Sequence, residues 1–373
     1  MSTQRPPHPD RPLRVVQWAT GNIGTRSLRA VLDHPRMTLA GVYVSGPDKA
    51  GRDAGELCGT GPTGVVTTAD PHEILRLRAD CVLYMPRATD HDDLCALLAS
   101  GANVVTTAGG FHHPAGLDPA LRSRVQEACG RGGTSLHATG SSPGFITEAV
   151  PLVLASVQRR LEKLTIHEYA DLSRRNSPGL LFDVMGFGAA PDGAFDEGRL
   201  AHVRSGFGPS LRLVADALGL PLESVEARGR VATAARTTAI AAGVLRAGTV
   251  AAQRITLSGR HAGRTLLEFN ATWYCTTDLD EAWDLRPTGW HLKVDGDTPL
   301  DVDMRFPVPL DRLAAVSPGY TAHRAVNAVP AVCAAAPGIR TTADLPLFTA
   351  DLSPASGGPS SRPAGSGSDS RPR

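Results

Sequence analysis

The chain of 373 residues has almost no net charge: 38 Lys and Arg face 37 Asp and Glu, for a balance of +1. Without a basic excess there is no electrostatic footprint for nucleic acid or for an anionic membrane, and neither is expected as a partner. Cysteine is scarce and scattered. Cys58, Cys81, Cys95, Cys129, Cys275 and Cys333 form no Cys-x-x-Cys pair and have no histidine at zinc-ligand spacing. That argues against a disulfide framework or a metal site and for a reduced, cytoplasmic protein. Long apolar runs are missing too: nothing approaches the roughly 18 residues of a membrane span. The polar, proline-rich stretch 1–12 has no signal-peptide core and is expected to be disordered. No internal repeat is visible, and the length suits two soluble domains, each able to bury its own core.

What is there begins with Arg14-Val15-Val16-Gln17-Trp18-Ala19-Thr20-Gly21-Asn22-Ile23-Gly24. The apolar start reads as a strand, and Leu28, Val31 and Leu32 give the following segment a helical stripe. Between them stands Ala19-x-Gly21-x-x-Gly24, a dinucleotide fingerprint whose first glycine is alanine. Gly21 lets the backbone approach a diphosphate, Gly24 lets the helix press on the strand, and the unpaired N–H groups of the first turn face the anion. A second strand at 39–44 completes a βαβ unit, so Ala19, Thr20, Gly21, Asn22, Ile23 and Gly24 are expected to hold a dinucleotide.

The acidic residue that many NAD-binding folds place after the second strand is absent. Val42-Tyr43-Val44 leads to Ser45, followed by Lys49 and Arg52, while Arg26 lies one turn into the first helix. Three cations can gather where a ribose 2′-phosphate would sit, which points to NADP, with NAD as the alternative. A second reading, that Lys49 and Arg52 are solvated loop residues, stays open. Strands expected at 80–85, 103–107 and 134–138 alternate with helices at 92–100 and 119–129, the pattern of a parallel sheet with right-handed crossovers. Ligands lie outside the carboxyl ends of such strands, so Pro86, Thr107, Ser142 and Pro143 are expected on the cofactor side.

From about 150 the texture changes. Alternating runs at 224–236, 249–260, 265–276, 290–294 and 300–306 suggest a mostly antiparallel sheet, with helices at 178–186 and 209–218 to cover one face. The fold class is therefore α/β: a Rossmann-type parallel-sheet domain plus a second α+β domain. Pro330 is expected to kink or end a helix at 322–335, and the Ser/Gly/Pro/Arg tail 353–373 to be disordered. His112 and His113, on the loop after 103–107, are candidate catalytic proton donors because histidine titrates near neutrality. Solvation beside Pro114 is the bland alternative, and His137 is expected to be buried against the sheet. Glu168, Arg174 and Asn176 follow or end the strand 164–169 and are candidate substrate contacts, as is Phe145 at the start of the helix 145–157. Phe182, Met185 and Phe187 suit either a pocket wall or plain core. Trp290 and His291 are adjacent on a strand, so only one of them can look into a site.

Several stretches carry a resemblance. Trp18-Ala19-Thr20-Gly21-Asn22-Ile23-Gly24, Gly41-Val42-Tyr43-Val44, Asp53-Ala54-Gly55-Glu56-Leu57, Asn103-Val104-Val105-Thr106-Thr107, Ser142-Pro143-Gly144-Phe145, Asn176-Ser177-Pro178, the run from Leu181 to Gly188 and Val326-Asn327-Ala328-Val329-Pro330 occur in one order. Together they resemble the group with a dihydrodipicolinate-reductase-like N-terminal domain, which includes 2,4-diaminopentanoate dehydrogenase and the native amine dehydrogenases. The resemblance implies a dinucleotide-binding domain at 13–147, a substrate and dimerisation domain at 148–320, and a C-terminal helix within 321–352 returning to the first domain. It implies a homodimer that moves hydride between NADPH and a small carbonyl, imine or amine in the cleft. One departure stands out. The family glutamate that holds ammonia after strand 103–107 is replaced by Ala108-Gly109-Gly110, so a carbonyl or imine reductase without amine dehydrogenase activity, or a non-catalytic NADP-binding paralogue or sensor, remains an alternative. No His-His-x-x-Lys-x-Asp-like motif of the lysine-pathway reductase is found.

Overall fold

A computed structural model describes residues 11–192 and 194–351; the two ends expected to be disordered fall almost wholly outside that range. In chain order the N-terminal half runs β1 (Leu13–Trp18), α1 (Asn22–Leu32), β2 (Met37–Tyr43), α2 (Ala54–Cys58), α3 (Pro71–Arg76), β3 (Cys81–Tyr84), α4 (His91–Ala99), β4 (Asn103–Thr106), α5 (Pro119–Gly132) and β5 (Ser135–Ala138). The irregular segment Ser141–Ala149 and α6 (Val150–Ala155) lead to β6 (Leu161–Asp171) and α7 (Glu197–Ala217). Then come β7 (Ser224–Thr233), the short pair β8 (Thr238–Ile240) and β9 (Gly243–Leu245), β10 (Val250–His261), β11 (Arg264–Tyr274), β12 (Gly289–Gly296), β13 (Leu300–Arg305), α8 (Leu310–Ala334) and β14 (Gly338–Arg340).

The first sheet has six strands, all parallel, in the order β14-β5-β4-β3-β1-β2. Val82, Val104 and Leu136 pack on one face with α4 and α5, while Val15, Leu83 and Val105 pack on the other with α8. Covered on both sides, the central strand β3 is apolar throughout, Cys81-Val82-Leu83-Tyr84, as a parallel sheet favours. The second sheet, β13-β12-β6-β11-β10-β7, is antiparallel except where β6 pairs parallel with β11. Here the strands alternate: Leu164, Ile166, Leu257, Phe269 and Leu292 share a core with Leu211 and Val214 of α7.

Two helices differ from expectation, and each holds a proline inside it. The expected helix at 209–218 starts twelve residues earlier, where Asp196 caps α7 by accepting the Arg199 N–H, and Pro209 sits inside it. The expected break at Pro330 does not occur. α8 runs through Pro318 and Pro330 to Ala334 because Ala325, Val326, Ala328, Val329 and Val332 are buried against the first sheet. That burial outweighs the cost of a missing backbone bond. The helix also begins at Leu310 rather than near 321, and the chain then adds β14 to the edge of β5.

Candidate active site

The fingerprint is built by close packing. Buried Gln17 donates from Nε2 to the Ala19 carbonyl at 2.9 Å. Ala19 sits at a φ of +72°, the left-handed region where the fingerprint ordinarily has glycine. A Cβ at Gly24 would collide with the Ala19 carbonyl, so the third position of the pattern admits only glycine. At Gly21 a Cβ would meet nothing within 4 Å. Gly21 is the N-cap of α1, without a side-chain cap and with no acidic residue in the first turn, so the N–H groups there are open to an anion. These features fit a dinucleotide diphosphate.

The cations behind the fingerprint are arranged differently from expectation. Arg26 does not join Lys49 and Arg52; it donates from Nε and Nη2 to the Ala315 carbonyl at 3.0 and 2.9 Å, tying α1 to α8 one turn before Pro318. The Lys49 ammonium lies 3.2 Å from the Thr20 carbonyl. Arg52 is exposed and paired with Glu56 at 3.2 Å, and Ser45 is exposed at the end of β2. Pro86 and Thr107 are half-buried just past β3 and β4.

A cavity of about 340 Å³ opens between the sheets, walled by Asn22 and Ile23 of α1, Ser141 and Ser142 of the segment after β5, and Glu168, Trp273 and Trp290 of the second sheet. Glu168 continues the face of Leu164 and Ile166 to the place where the core opens. Trp273 Nε1 donates to one of its oxygens at 3.2 Å and Trp290 Nε1 to the other at 3.1 Å. Both carboxylate oxygens are therefore aimed by indole N–H groups, a charge-assisted arrangement. Tyr169, Asp171, Met185 and Tyr320 complete much of the wall. Trp290 faces this space, while its neighbour His291 turns to the other side of the strand and meets Asp301 at 2.7 Å.

Other candidates are placed elsewhere. Arg174 and Asn176 are exposed and do not line the cavity, whereas the adjacent Arg175 does. The Arg175 Nε is buried without an acceptor, and burial together with Arg26 pushes its guanidinium below its ordinary value. The Phe145 ring is tilted against Trp290, with ring centres 5.9 Å apart, and lines a neighbouring cavity. His112 is buried, its Nδ1 2.5 Å from Glu148 Oε1. Glu148 is itself fully buried and also accepts from Ser210, at 2.7 Å, and Thr342. Burial opposes the Glu148 charge, but His112, Thr342 and Ser210 outweigh it and hold the carboxyl below the usual range. His113 Nε2 lies 2.8 Å from Asp216 of α7. Neither histidine reaches the cavity beside Glu168. His137 is buried, bonded through Nδ1 to the Arg340 carbonyl, and burial lowers it to about 4.

Within Ala108-Gly109-Gly110 the room for a side chain differs: at Gly110 a Cβ would meet only the Leu117 side chain, at 3.7 Å. A Cβ at Gly109 would stand 2.8 Å from the Gly206 carbonyl of α7, so no larger side chain fits there while α7 keeps its place. Trp273, Arg175 and Tyr320 join the cavity from positions that no local pattern marks; Arg174 and Arg175 follow β6 in a turn that leaves one exposed and the other on the cavity wall. Among the described residues no cluster of His, Cys, Asp or Glu is arranged to hold a metal, and no helix is long and apolar enough to cross a membrane.

Comparison with known proteins agrees with this architecture. A family model described as 2,4-diaminopentanoate dehydrogenase C-terminal domain matches residues 145–356, and one described as dihydrodipicolinate reductase, N-terminus, matches residues 15–118. The chain is 27% identical to an amine dehydrogenase of Streptomyces virginiae over 349 residues, 90% of this chain and 96% of that one. A stretch of 57 residues, 15% of this chain, is 42% identical to a 4-hydroxy-tetrahydrodipicolinate reductase of Rubrobacter xylanophilus and covers 22% of it. The solved structure of an amine dehydrogenase from Mycobacterium smegmatis shares the fold, with a TM-score of 0.71 at 20% identity, over 92% of this chain and 98% of the other. With the first of these models matched over more than half of its length, the chain belongs to the 2,4-diaminopentanoate dehydrogenase family and carries a dihydrodipicolinate-reductase-like N-terminal domain.

Proposed function

We propose that this protein is an NAD(P)-dependent oxidoreductase of the amine dehydrogenase kind, acting on a small carbonyl, imine or amine with Glu168 as its proton-carrying group. The observation that supports this best is the shared cavity: the opening of α1, Ser141 and Ser142, and an indole-bound carboxylate all face one space. Residues Ala19 to Gly24 would hold the diphosphate and Pro86, Thr107, Ser142 and Pro143 would lie toward the nicotinamide. When bound, the nicotinamide supplies or accepts the hydride. Glu168, fixed by Trp273 and Trp290, attracts an ammonium group by charge, takes its proton, and returns a proton to the oxygen that leaves as an imine forms. The aromatic walls limit water around that exchange. In this reading Glu168 does the work of the family glutamate that Ala108-Gly109-Gly110 lacks.

NADP is proposed as the preferred form, since Ser45 leaves a 2′-phosphate unopposed and Lys49 and Arg52 stand next to it. The unpaired cysteines suit the cytoplasm, and the homodimer implied by the family resemblance is proposed with them; sedimentation tests it. The experiment for the main reading is NADPH oxidation with a panel of aldehydes and ketones, with and without ammonium. Ammonium-dependent turnover supports reductive amination, and ammonium-independent turnover makes the protein a carbonyl reductase. The lack of a carboxylate at Ala108-Gly109-Gly110 favours one contrary reading, a nucleotide-binding paralogue, which predicts tight NADPH binding and no turnover with any of the panel.

A further inference from the structure

The turn 141–144, which leads out of β5 into the cleft, is tied at both ends. At its start the Ser141 hydroxyl meets the Thr321 hydroxyl of α8 at 2.7 Å. At its end, where the backbone passes through a φ of +120° at Gly144, the Gly144 N–H donates to the Thr147 hydroxyl at 2.9 Å. Between the two ties Ser142 stands on the wall of the first cavity, and its hydroxyl is buried without a partner. A buried hydroxyl left unpaired is costly unless something supplies the missing bond.

The second tie does not end at Thr147. Its hydroxyl lies 2.6 Å from that of Ser210 in α7, and Ser210 in turn donates to Glu148 at 2.7 Å. All three side chains are buried, and Glu148 also takes His112 and Thr342. Held below its usual range, the Glu148 carboxylate is ionised at neutral pH and can only accept, so it sets the direction of the whole chain. Ser210 gives its proton to Glu148, Thr147 must give its own to Ser210, and the lone pairs of Thr147 are left for the Gly144 N–H. We propose that Glu148, acting through Ser210 and Thr147, positions the turn 142–144 so that the Ser142 hydroxyl meets the carboxamide of a nicotinamide ring. Glu148 touches neither cofactor nor substrate; it is a positioning residue, and its reach to the turn runs through α7 of the second domain. Placement of the ring matters because about 1 Å of error can cost a hundredfold in rate. This inference rests on the reading that a nicotinamide cofactor enters the first cavity.

Two measurements on the full chain test it. Calorimetric titration compares NADPH with 2′-phospho-ADP-ribose, which lacks the nicotinamide, without any turnover. Thr147→Val keeps the shape and removes the hydroxyl; it is expected to weaken NADPH about five- to tenfold, the loss of one ordering hydrogen bond, and to leave 2′-phospho-ADP-ribose within about twofold. Thr147→Ser restores the hydroxyl and is expected to recover NADPH. Ser210→Ala breaks the chain one step nearer Glu148 and is expected to act in the same direction, so the test stands even if Thr147→Val fails to fold. A purely structural role would weaken the two nucleotides alike. That result overturns the proposal, and so does NADPH binding that is unchanged in either variant. The second measurement is amide hydrogen exchange across residues 141–147 without nucleotide, expected to quicken roughly tenfold in Thr147→Val while the turn between β1 and α1 keeps its rate. Unchanged exchange overturns the proposal. Wild-type protein that binds neither nucleotide would instead sink the oxidoreductase reading, and the proposal with it.

Discussion

The two sheets carry their chemistry in opposite ways. In the parallel sheet the nucleotide fingerprint is six consecutive residues, Ala19 to Gly24, whose geometry follows from backbone space alone: Gly24 against the Ala19 carbonyl, and open room at Gly21. In the mixed sheet the candidate site is assembled from β6, β11 and β12, with Glu168 meeting indoles that lie 105 and 122 residues away in the chain. A local motif is fixed by covalent neighbours and survives as a pattern. A dispersed site depends on strand register and on the face each residue takes, so no short stretch announces it.

The sharpest way to break the comparison is to attack what joins the two halves. Glu148 is fully buried and holds His112 of the first domain, Ser210 of α7 and Thr342 of the C-terminal segment at once. Glu148→Ala removes one member of a buried charged set and is expected to cost about 3–5 kcal/mol, read as a fall in Tm or in the urea midpoint. The carboxyl is held below its ordinary value of 4.5 in the folded protein. Its contribution is therefore complete above that value and drains away as the pH falls toward the folded one. Wild-type stability should drop in that acid window and the variant should lose this part of the drop. A variant as stable as wild type at pH 7 would show that the domains are held together by other contacts.

Within the dispersed site, Glu168→Gln keeps shape and loses the charge that two indoles address. Turnover is expected to fall about a hundredfold or more, in the range of a lost general acid or base, with Tm little changed. If His112 carried the proton instead, Glu168→Gln would leave kcat nearly intact. Within the local site, Gly24→Ala and Gly21→Ala separate packing from binding. The first forces a backbone collision and is expected to destabilise by roughly 1–3 kcal/mol; the second is expected to leave stability within about 0.5 kcal/mol while weakening NADPH. Equal effects of the two on Tm would contradict the geometry of the turn.

The parts that could be read from the chain are those where pattern and space coincide. The βαβ start and the alternation of the second sheet lie in contiguous residues. The errors arise where a distant surface decides. Pro330 reads as a helix break because a lone proline breaks an isolated helix, yet the buried α8 carries it. Arg174 and Arg175 are indistinguishable as letters, and only the turn after β6 sends one to solvent and the other to the cavity. Arg26 reads as a phosphate ligand until α8, 289 residues on, presents the Ala315 carbonyl to it.

The smallest expected effects concern the two cations beside Ser45, and they bear on how local the fingerprint truly is. Arg52 is exposed and its pair with Glu56 is worth little in water, so Arg52→Ala should leave stability alone and cut the preference for NADPH over NADH only a few-fold. Lys49 is half-buried and already touches the Thr20 carbonyl, so Lys49→Ala should weaken both nucleotides by loosening the turn, with a further loss for NADPH alone. Dissociation constants for both nucleotides at two salt concentrations separate these contributions, because the charge-dependent part shrinks as the Debye length falls. If neither substitution changes the NADPH to NADH ratio, the missing acid after β2 does not specify the phosphate, and the cations belong to a solvated loop.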